Sequence, residues 1–260
     1  MIGDAVLAVS NQPTEMISGL RGAIEIDTAV ENVSYPITTN DNCHSVYSAV
    51  EIGTSNFDTL IQATEKSDPH ARGLSADAMK IYIDQLPDLS CWKKVATAVV
   101  GKSNDVPSSG TILTYYIDPA DIVKYNMPEW LRGCNSVGKP HATGLAYLQD
   151  KNLVNLMHNI SVPVLSVEQL LNSNSVCRMK RFKVDVEGFD GDLLVAFSEW
   201  VEKNHEVCYA DMVIGEFNEL SEGRVSGADA STALTRVGYK LLDTKEGFDW
   251  MWEYVGNIPV

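Results

Sequence analysis

The chain lacks the signatures of several common protein classes. No apolar run approaches the ~18 residues that a membrane-spanning helix needs, and neither a G-x-G-x-x-G nor a Walker A pattern occurs. The first ten residues contain Asp4 and no basic segment, so we expect no secretory signal peptide. These absences argue against a membrane span, a P-loop nucleotide site and a nicotinamide-dependent oxidoreductase.

Basic residues and cysteines are also scarce. The 20 Lys and Arg against 35 Asp and Glu give a formal net charge of −15 at pH 7. This balance disfavours nucleic acid or an anionic membrane as partner, because phosphate binding needs clustered basic side chains. The cysteines form no C-x-x-C pair, which predicts reduced thiols and a cytoplasmic location. The five are Cys43, Cys91, Cys134, Cys177 and Cys208.

What remains is the composition of an ordinary globular protein, with 45% hydrophobic residues in a chain of 260. We assign residues 41–260 to one α/β domain with an insertion at about 103–160. Residues 1–40 form an N-terminal extension or the tail of a linker from a larger chain. Strands alternate with helices, among them a helix over Met79–Leu86 and a strand over Trp92–Val100, and the chain ends in a hairpin with a turn at residues 244–247. This pattern predicts a mostly parallel sheet with an antiparallel edge and helices on both faces.

The segment Val46–Thr59 has the pattern of a nucleotide-binding βα unit. An apolar strand is followed by a small polar turn around Gly53 and by a helical pattern that begins near Phe57. Backbone N–H groups at such a turn face the carboxyl end of the strand. A second strand, Ala71–Asp77, ends 24 residues beyond Gly53. At its tip Asp77 could accept both hydroxyls of a ribose or cap the next helix.

Two later regions carry further candidate side chains. The insertion has little periodicity and is predicted to be an ordered loop over the site or a solvated surface loop. The strand around Phe182 ends in Asp185 and Glu187, and another strand ends in Glu216. Asp185 and Glu187 could act as bases or cap the next helix, and Asp185 with Glu187 or Glu216 could hold Mg²⁺, which is least favoured. The insertion's candidates are Arg132, Asn135, Ser136, Lys139 and His141, and the aromatics Tyr116, Trp130 and Phe189 could stack on a ligand or belong to the core.

Four stretches together resemble the FkbM family of S-adenosylmethionine (SAM)-dependent methyltransferases. They are Glu51–Asn56, Gly73–Ala78, Phe182–Asp190 and Gly238-Tyr239, and Arg132–His141 resembles a segment of some members. The chain departs from the family in having Glu51-Ile-Gly-Thr-Ser-Asn56 for Asp-x-Gly-Ala-Asn, and Asp77-Ala78 for Glu-Pro. Both departures keep the carboxylate or the small turn residue.

The resemblance implies a seven-stranded class I methyltransferase sheet, SAM as cofactor and methylation of a hydroxyl, commonly on a sugar or polyketide. The candidate cofactor-binding residues are Glu51, Gly53, Thr54, Ser55, Asn56, Asp77 and Asp185. A sugar hydroxyl is a weak acid, so a general base is needed. The candidates are Asp185, His141 and Glu187, with Arg132, Asn135, Ser136, Lys139 and Glu216 orienting the acceptor.

We therefore expect a SAM-dependent O-methyltransferase that acts on a hydroxyl of a glycan or glycoconjugate. The alternative is a methyltransferase fold without activity that binds a glycan or a protein partner. Asp185 and Glu187 disfavour that alternative, because a binding module has no need of an acid pair at this position.

Overall fold

The structure is a computed structural model that describes residues 45–56, 59–204, 207–217, 224–244 and 249–256. The predicted extension, residues 1–40, lies outside these ranges, as do the predicted helix start at Phe57 and most of the predicted turn at residues 244–247.

Strands and helices alternate through the described residues. The strands are β1 Tyr47–Ile52, β2 Arg72–Asp77, β3 Trp92–Ala96, β4 Ala98–Val100, β5 Thr111–Ile117, β6 Ser136–Val137, β7 Met157–Ser166, β8 Arg178–Val184, β9 Tyr209–Glu216, β10 Tyr239–Asp243 and β11 Asp249–Tyr254. The helices are α1 Leu60–Glu65, α2 Lys80–Ile83, α3 Pro119–Lys124, α4 Ala142–Asp150, α5 Val167–Ser173, α6 Asp190–Asn204 and α7 Gly227–Arg236.

The larger sheet of the described residues has the strand order β10-β11-β9-β8-β1-β2-β3. Its neighbours from β3 through β9 are parallel, whereas β11 runs antiparallel to both β9 and β10. The chain moves outward from β1 in both directions, so β1 with its neighbours β2 and β8 forms a topological switch point. The predicted α/β fold class, a mostly parallel Rossmann-like sheet with an antiparallel C-terminal hairpin, is confirmed by this topology.

Helices cover both faces of this sheet. Neighbouring residues of a strand point to opposite faces, and in β1 Val50 belongs to the core that includes Phe182, Phe197 and Trp200. Ala49 belongs to a second core with Ile61 of α1 and Ile83 of α2. Both β1 side chains are fully buried, as expected for a central parallel strand between two layers of helices.

Serine and threonine caps define several helix starts near the sheet. Thr59, Ser166 and Ser226 each accept a hydrogen bond from the backbone N–H three residues on, which completes a capping box at α1, α5 and α7. The predicted helix Met79–Leu86 is shorter than expected, because only Lys80–Ile83 is helical.

The insertion is more regular than its sequence suggested. The segment Trp92–Val100, predicted as one strand, is two strands, since the chain turns at Thr97 and β4 leaves the larger sheet to pair with β7. Strand β7 also pairs with β5, and β5 with β6, which gives a second sheet in the order β4-β7-β5-β6. Its helices enclose a separate small core that includes Ile117, Leu131 and Leu148.

The expectation of reduced cysteines is wrong for part of the chain. Cys177 and Cys208, which precede β8 and β9, form a disulfide. Cys91 is disulfide-bonded as well, while Cys134 is a buried free thiol. The error has a physical cause, since parallel pairing of β8 and β9 brings together two cysteines 31 residues apart in sequence. Among the described residues, no helix has the length and apolar character needed to cross a membrane.

Candidate functional site

A cavity of about 320 Å³ lies where the carboxyl ends of β1, β2 and β8 face the second sheet. This is the position at which open α/β sheets bind ligands. The larger sheet contributes Ile52, Gly53, Ser55, Ala76, Asp77, Ala78, Lys183, Asp185, Val186, Glu187, Phe189 and Glu216 to its lining. The remaining lining residues are Thr97, Ala98, Val99, Val100, Thr114, Trp130, Gly133, Asn135, Ser136 and Val137.

The backbone of Gly53 lies in close contact with the neighbouring strand ends at the cavity. Its φ is +80°, and a Cβ at this position would lie 1.8 Å from the Asp185 carbonyl oxygen, so only glycine fits. The Gly53 N–H donates to the Ala76 carbonyl at 2.9 Å, and the Asp185 N–H donates to the Ile52 carbonyl at 2.9 Å. The ends of β1, β2 and β8 are thereby fastened to one another.

Asp77 lies at the tip of β2 and lines the cavity, as expected. One carboxylate oxygen accepts from the Ser55 N–H at 2.9 Å and the other from the Met79 N–H at 2.6 Å. Burial raises the pKa of Asp77 to about 6, against the opposing effect of these two hydrogen bonds. The carboxylate therefore fixes the turn after β1 and still has lone pairs available to a ligand.

The other predicted residues of the first turn divide into two groups. Ser55 lines the cavity with Gly53, whereas Glu51, Thr54 and Asn56 are not among the described lining residues. Both carboxylate oxygens of Glu51 lie 3.1 Å from the Leu60 N–H at the start of α1, and burial raises the Glu51 pKa to about 7. The Asn56 amide donates to the Gln85 side chain at 2.6 Å.

Asp185 sits opposite Asp77 with an acidic environment around it. Burial is the main cause that raises its pKa to about 7, and the charges of Glu216 and Glu187 add to this effect. The Lys183 ammonium, 3.6 Å from the Asp185 carboxylate, lowers the pKa and so opposes both. Asp185 can thus exchange a proton near neutral pH, which suits a general base.

Lys183 is a site residue that the sequence reasoning missed. It lines the cavity and also lies 4.0 Å from the Glu51 carboxylate. A signal was present, because Lys183 is a charged residue between Phe182 and Val184, both fully buried in a central strand. A lysine there must direct its ammonium to the strand end or to an acid.

Asp190 was also missed, although it lies in the quoted motif. Its carboxylate is buried and accepts from the Val186 N–H at 3.3 Å and from the Glu216 N–H at 3.1 Å. Burial, and then the charge of Asp185, raise its pKa to about 8. Asp190 therefore connects the loop after β8 to the end of β9. In this way it positions the two segments that carry Asp185 and Glu216.

Glu187 and His141 contact each other, but only Glu187 lines the cavity. The His141 Nε2 lies 3.5 Å from the Glu187 carboxylate, and His141 Nδ1 accepts from the Gly144 N–H at 3.2 Å. His141 is buried, so its imidazole caps α4 and holds Glu187 instead of facing the cavity.

The predicted acceptor residues also divide. Asn135, Ser136 and Glu216 line the cavity, whereas Arg132 and Lys139 are not among its described lining residues. The Arg132 guanidinium is 3.0 Å from Glu129. Of the predicted aromatics, Trp130 and Phe189 line the cavity, and Trp130 has 47% of its surface exposed. Phe189 also lies under the Arg224 guanidinium, whereas Tyr116 packs against His158.

The charges of the lining favour a cation. Four carboxylates, those of Asp77, Asp185, Glu187 and Glu216, face one ammonium, that of Lys183. Within the part of the chain that the structure describes, no group of three or more His, Cys, Asp and Glu side chains has the arrangement of a metal site. The lining suits a ligand that carries positive charge and hydroxyl groups.

Comparison with solved structures gives distant likenesses. No protein-family model matches the chain, and no curated protein matches its sequence. Magnesium protoporphyrin IX methyltransferase from Synechocystis PCC 6803, solved with bound SAM, is similar with 8% identity and a TM-score of 0.34 over 80% of this chain and 69% of that one. The O-methyltransferase from Bacillus cereus, solved with S-adenosylhomocysteine, is similar with 12% identity and a TM-score of 0.30 over 78% and 71%. The fold assignment accordingly depends on the strand order.

Proposed function

We propose that the chain is a SAM-dependent O-methyltransferase. The observation that carries this proposal is that Gly53, Asp77 and Asp185, at the ends of three adjacent strands, line one acidic cavity. A nucleoside ligand with a positive charge fits this arrangement, because Asp77 can accept ribose hydroxyls and the other carboxylates favour a cation. The FkbM resemblance gives the same interpretation but stays a prediction.

The residues of the larger sheet account for most of the cofactor's predicted contacts. The turn at Gly53 and Ser55 presents backbone to the cavity, Asp77 lies at the ribose position, and Asp185 and Glu216 lie on the opposite side. When bound there, SAM supplies an electrophilic methyl group on a sulfonium. Three predicted residues of this turn are not among the described lining residues and are expected to affect cofactor affinity indirectly, by holding the turn in place. They are Glu51, Thr54 and Asn56.

Asp185 is the best placed general base. It faces the cavity, and its pKa of about 7 lets it accept a proton from a hydroxyl while remaining largely ionised slightly above neutral pH. Glu187 is a second candidate, with His141 as its positioning partner across 3.5 Å. Either base would accept the hydroxyl proton and orient the hydroxyl. Orientation matters because methyl transfer needs the acceptor oxygen aligned with the methyl carbon.

The acceptor is proposed to be a hydroxyl of a sugar in a glycan or glycoconjugate. Trp130 provides an exposed aromatic face at the cavity, and Asn135, Ser136 and Glu216 provide donors and acceptors for hydroxyl groups. Arg132 and Lys139 are proposed to contact the acceptor from outside the cavity, because neither is among its described lining residues. The cytoplasmic location remains a prediction, and the Cys177–Cys208 disulfide argues against it.

The test is transfer of an isotopically labelled methyl group from SAM to a panel of glycosides, measured by mass spectrometry. Asp185→Asn should lower the transfer rate about 100-fold or more and change the affinity for S-adenosylhomocysteine only slightly. Asp211→Asn is the matched control, because Asp211 is an exposed acid on the neighbouring strand β9 outside the cavity.

Three outcomes would count against the proposal. Absence of S-adenosylhomocysteine binding in a calorimetric titration would remove the cofactor assignment. Binding without transfer to any hydroxyl acceptor would favour the inactive binding module. Full activity in Asp185→Asn would remove Asp185 as the base.

A further inference from the structure

Two polar atoms on the insertion side of the cavity have no hydrogen-bond partner among the described residues. They are the hydroxyl oxygen of Thr114 on β5 and the side-chain oxygen of Asn135, next to β6. Both residues line the cavity, and Thr114 is 0% exposed. Buried polar atoms are nearly always paired. A buried hydroxyl without a partner in the wall of a cavity therefore points to a ligand.

The surroundings fix both side chains. Thr114 lies in the middle of its sheet, paired with Val137 on one side and Ile160 on the other. The Asn135 amide nitrogen donates to the Arg132 carbonyl at 3.0 Å. This bond sets the orientation of the amide and leaves its oxygen as the atom that can accept from a ligand.

These atoms lie on the Asp77 side of the cavity. The Tyr82 hydroxyl, on α2 directly after the Asp77 turn, donates to the Arg132 carbonyl at 3.2 Å. Ala78, the residue after Asp77, packs against the small core of the second sheet formed by Ala98, Val100, Val162 and Val164, and Val137, the strand partner of Thr114, packs against the same core. Hence strand β5, which carries Thr114, and the segment that carries Asn135 adjoin the proposed ribose position.

The hydroxyls of Thr97 and Ser136 donate to the Pro163 and Lys139 carbonyls, and the rest of the lining near this position is small and apolar. Its residues are Ala76, Ala78, Ala98, Val99 and Val100. Small side chains leave room for a flat ring, and they offer no hydrogen bonds from their own side chains that could distinguish one ring from another. Specific recognition of a base on this side therefore depends on the polar atoms of the insertion.

We infer that Thr114 and Asn135 recognise the adenine of the cofactor, an inference that rests on the proposed function. Adenine carries an exocyclic amino group, a donor suited to the Asn135 oxygen, and ring nitrogens that accept from the Thr114 hydroxyl. Hypoxanthine has a carbonyl in place of the amino group and would set two acceptors against each other at Asn135. The second sheet thus provides the part of the cofactor site that distinguishes adenine from other bases.

The first arm of the test separates ligand recognition from a structural role. Thr114→Val keeps the shape and removes the unpaired hydroxyl, so the melting temperature without ligand should be unchanged or higher. The affinity for S-adenosylhomocysteine, measured by calorimetry, should fall about five- to tenfold. Thr114→Ser should restore affinity, since it keeps the hydroxyl. Thr111→Val is the matched control, because Thr111 is an exposed threonine of the same strand.

The second arm needs no variant for its main measurement. Wild-type protein should bind S-inosylhomocysteine about tenfold or more weakly than S-adenosylhomocysteine, and Asn135→Ala should reduce that difference. Equal affinity of the wild type for both compounds, or wild-type affinity in Thr114→Val, would overturn the inference while leaving the proposed function intact. If the wild type binds neither compound, the proposed function and the inference both fail. If Thr114→Val does not fold, the wild-type comparison of the two compounds decides.

Discussion

The charges around Asp185 predict opposite effects for two substitutions on the pH dependence of methyl transfer. With a pKa of about 7, a general base is half ionised at pH 7 and about one tenth ionised at pH 6, so the rate should fall about tenfold per pH unit below pH 6. The Lys183 ammonium lies 3.6 Å from the carboxylate and lowers its pKa, whereas Glu216 raises it.

Replacing Lys183 with Met removes the charge that favours the ionised form. The pKa of Asp185 should rise by about 1–2 units, the range for an acid that loses a nearby opposite charge. The rate at pH 7 should then fall about 5- to 50-fold and recover at higher pH. Glu216→Gln removes a like charge, so the inflection should move to lower pH and the rate at pH 6 should rise.

The assay is single-turnover transfer of labelled methyl between pH 5 and pH 9, with the acceptor saturating. Glu253→Gln, an exposed acid on β11, is the control for net charge, and thermal melts at each pH confirm that the variants are folded. A rate that does not depend on pH between 5 and 8, or an inflection that moves in the same direction in both variants, would refute Asp185 as the base.

Two further substitutions test the fold that holds the site. Gly53→Ala should lower the free energy of unfolding in urea by more than about 3 kcal/mol, because its Cβ would overlap the Asp185 carbonyl oxygen. Gly110→Ala, which has φ +68° and no atom within 4 Å of the added Cβ, should cost only about 1 kcal/mol. Similar losses in the two variants would contradict the close approach at Gly53. Cys177→Ser with Cys208→Ser should cost about 3–4 kcal/mol for the 31-residue separation, and reductant should lower the melting temperature of the double variant less than that of the wild type, since Cys91 keeps its own disulfide. An equal effect of reductant on the wild type and the double variant would show that the Cys177–Cys208 disulfide does not form.

The sequence predicted the parts of the fold that depend on local patterns. Strand, glycine turn and helix in Val46–Thr59, and the acids after β2 and β8, follow from residue type and spacing, and parallel order alone then places them at one edge of the sheet. The division of Trp92–Val100 had no comparable local signal. Thr97 is β-branched and suits a continuous strand, and at the break its hydroxyl donates to the Pro163 carbonyl, 66 residues away.

The second sheet was not predicted either, because it also depends on contacts between residues far apart in the sequence. Strand β6 has two residues, which is too short for a periodic pattern. Strands β5 and β7 are joined by about 40 residues of helix and turn, so their pairing is non-local. The role of His141 was predicted from its residue type and its place in the insertion, which say nothing about the Gly144 N–H and Glu187 carboxylate that occupy its two ring nitrogens.

The two sheets contribute different parts of the proposed site, and this difference has a kinetic consequence. Lys183 and the acids at the ends of β8 and β9 surround the proposed reacting centre, Asp77 at the end of β2 lies at the proposed ribose position, and Asp190 connects the two segments that carry Asp185 and Glu216. The insertion supplies Thr114, Asn135 and Trp130, and it contacts the loop after β8 through His141 and Glu187. Substitutions at the ends of β8 and β9 should therefore act mainly on kcat, because they change charge at the reacting atoms. Those on the insertion should act mainly on the affinity for cofactor or acceptor, because they change contacts that the bound and reacting states share.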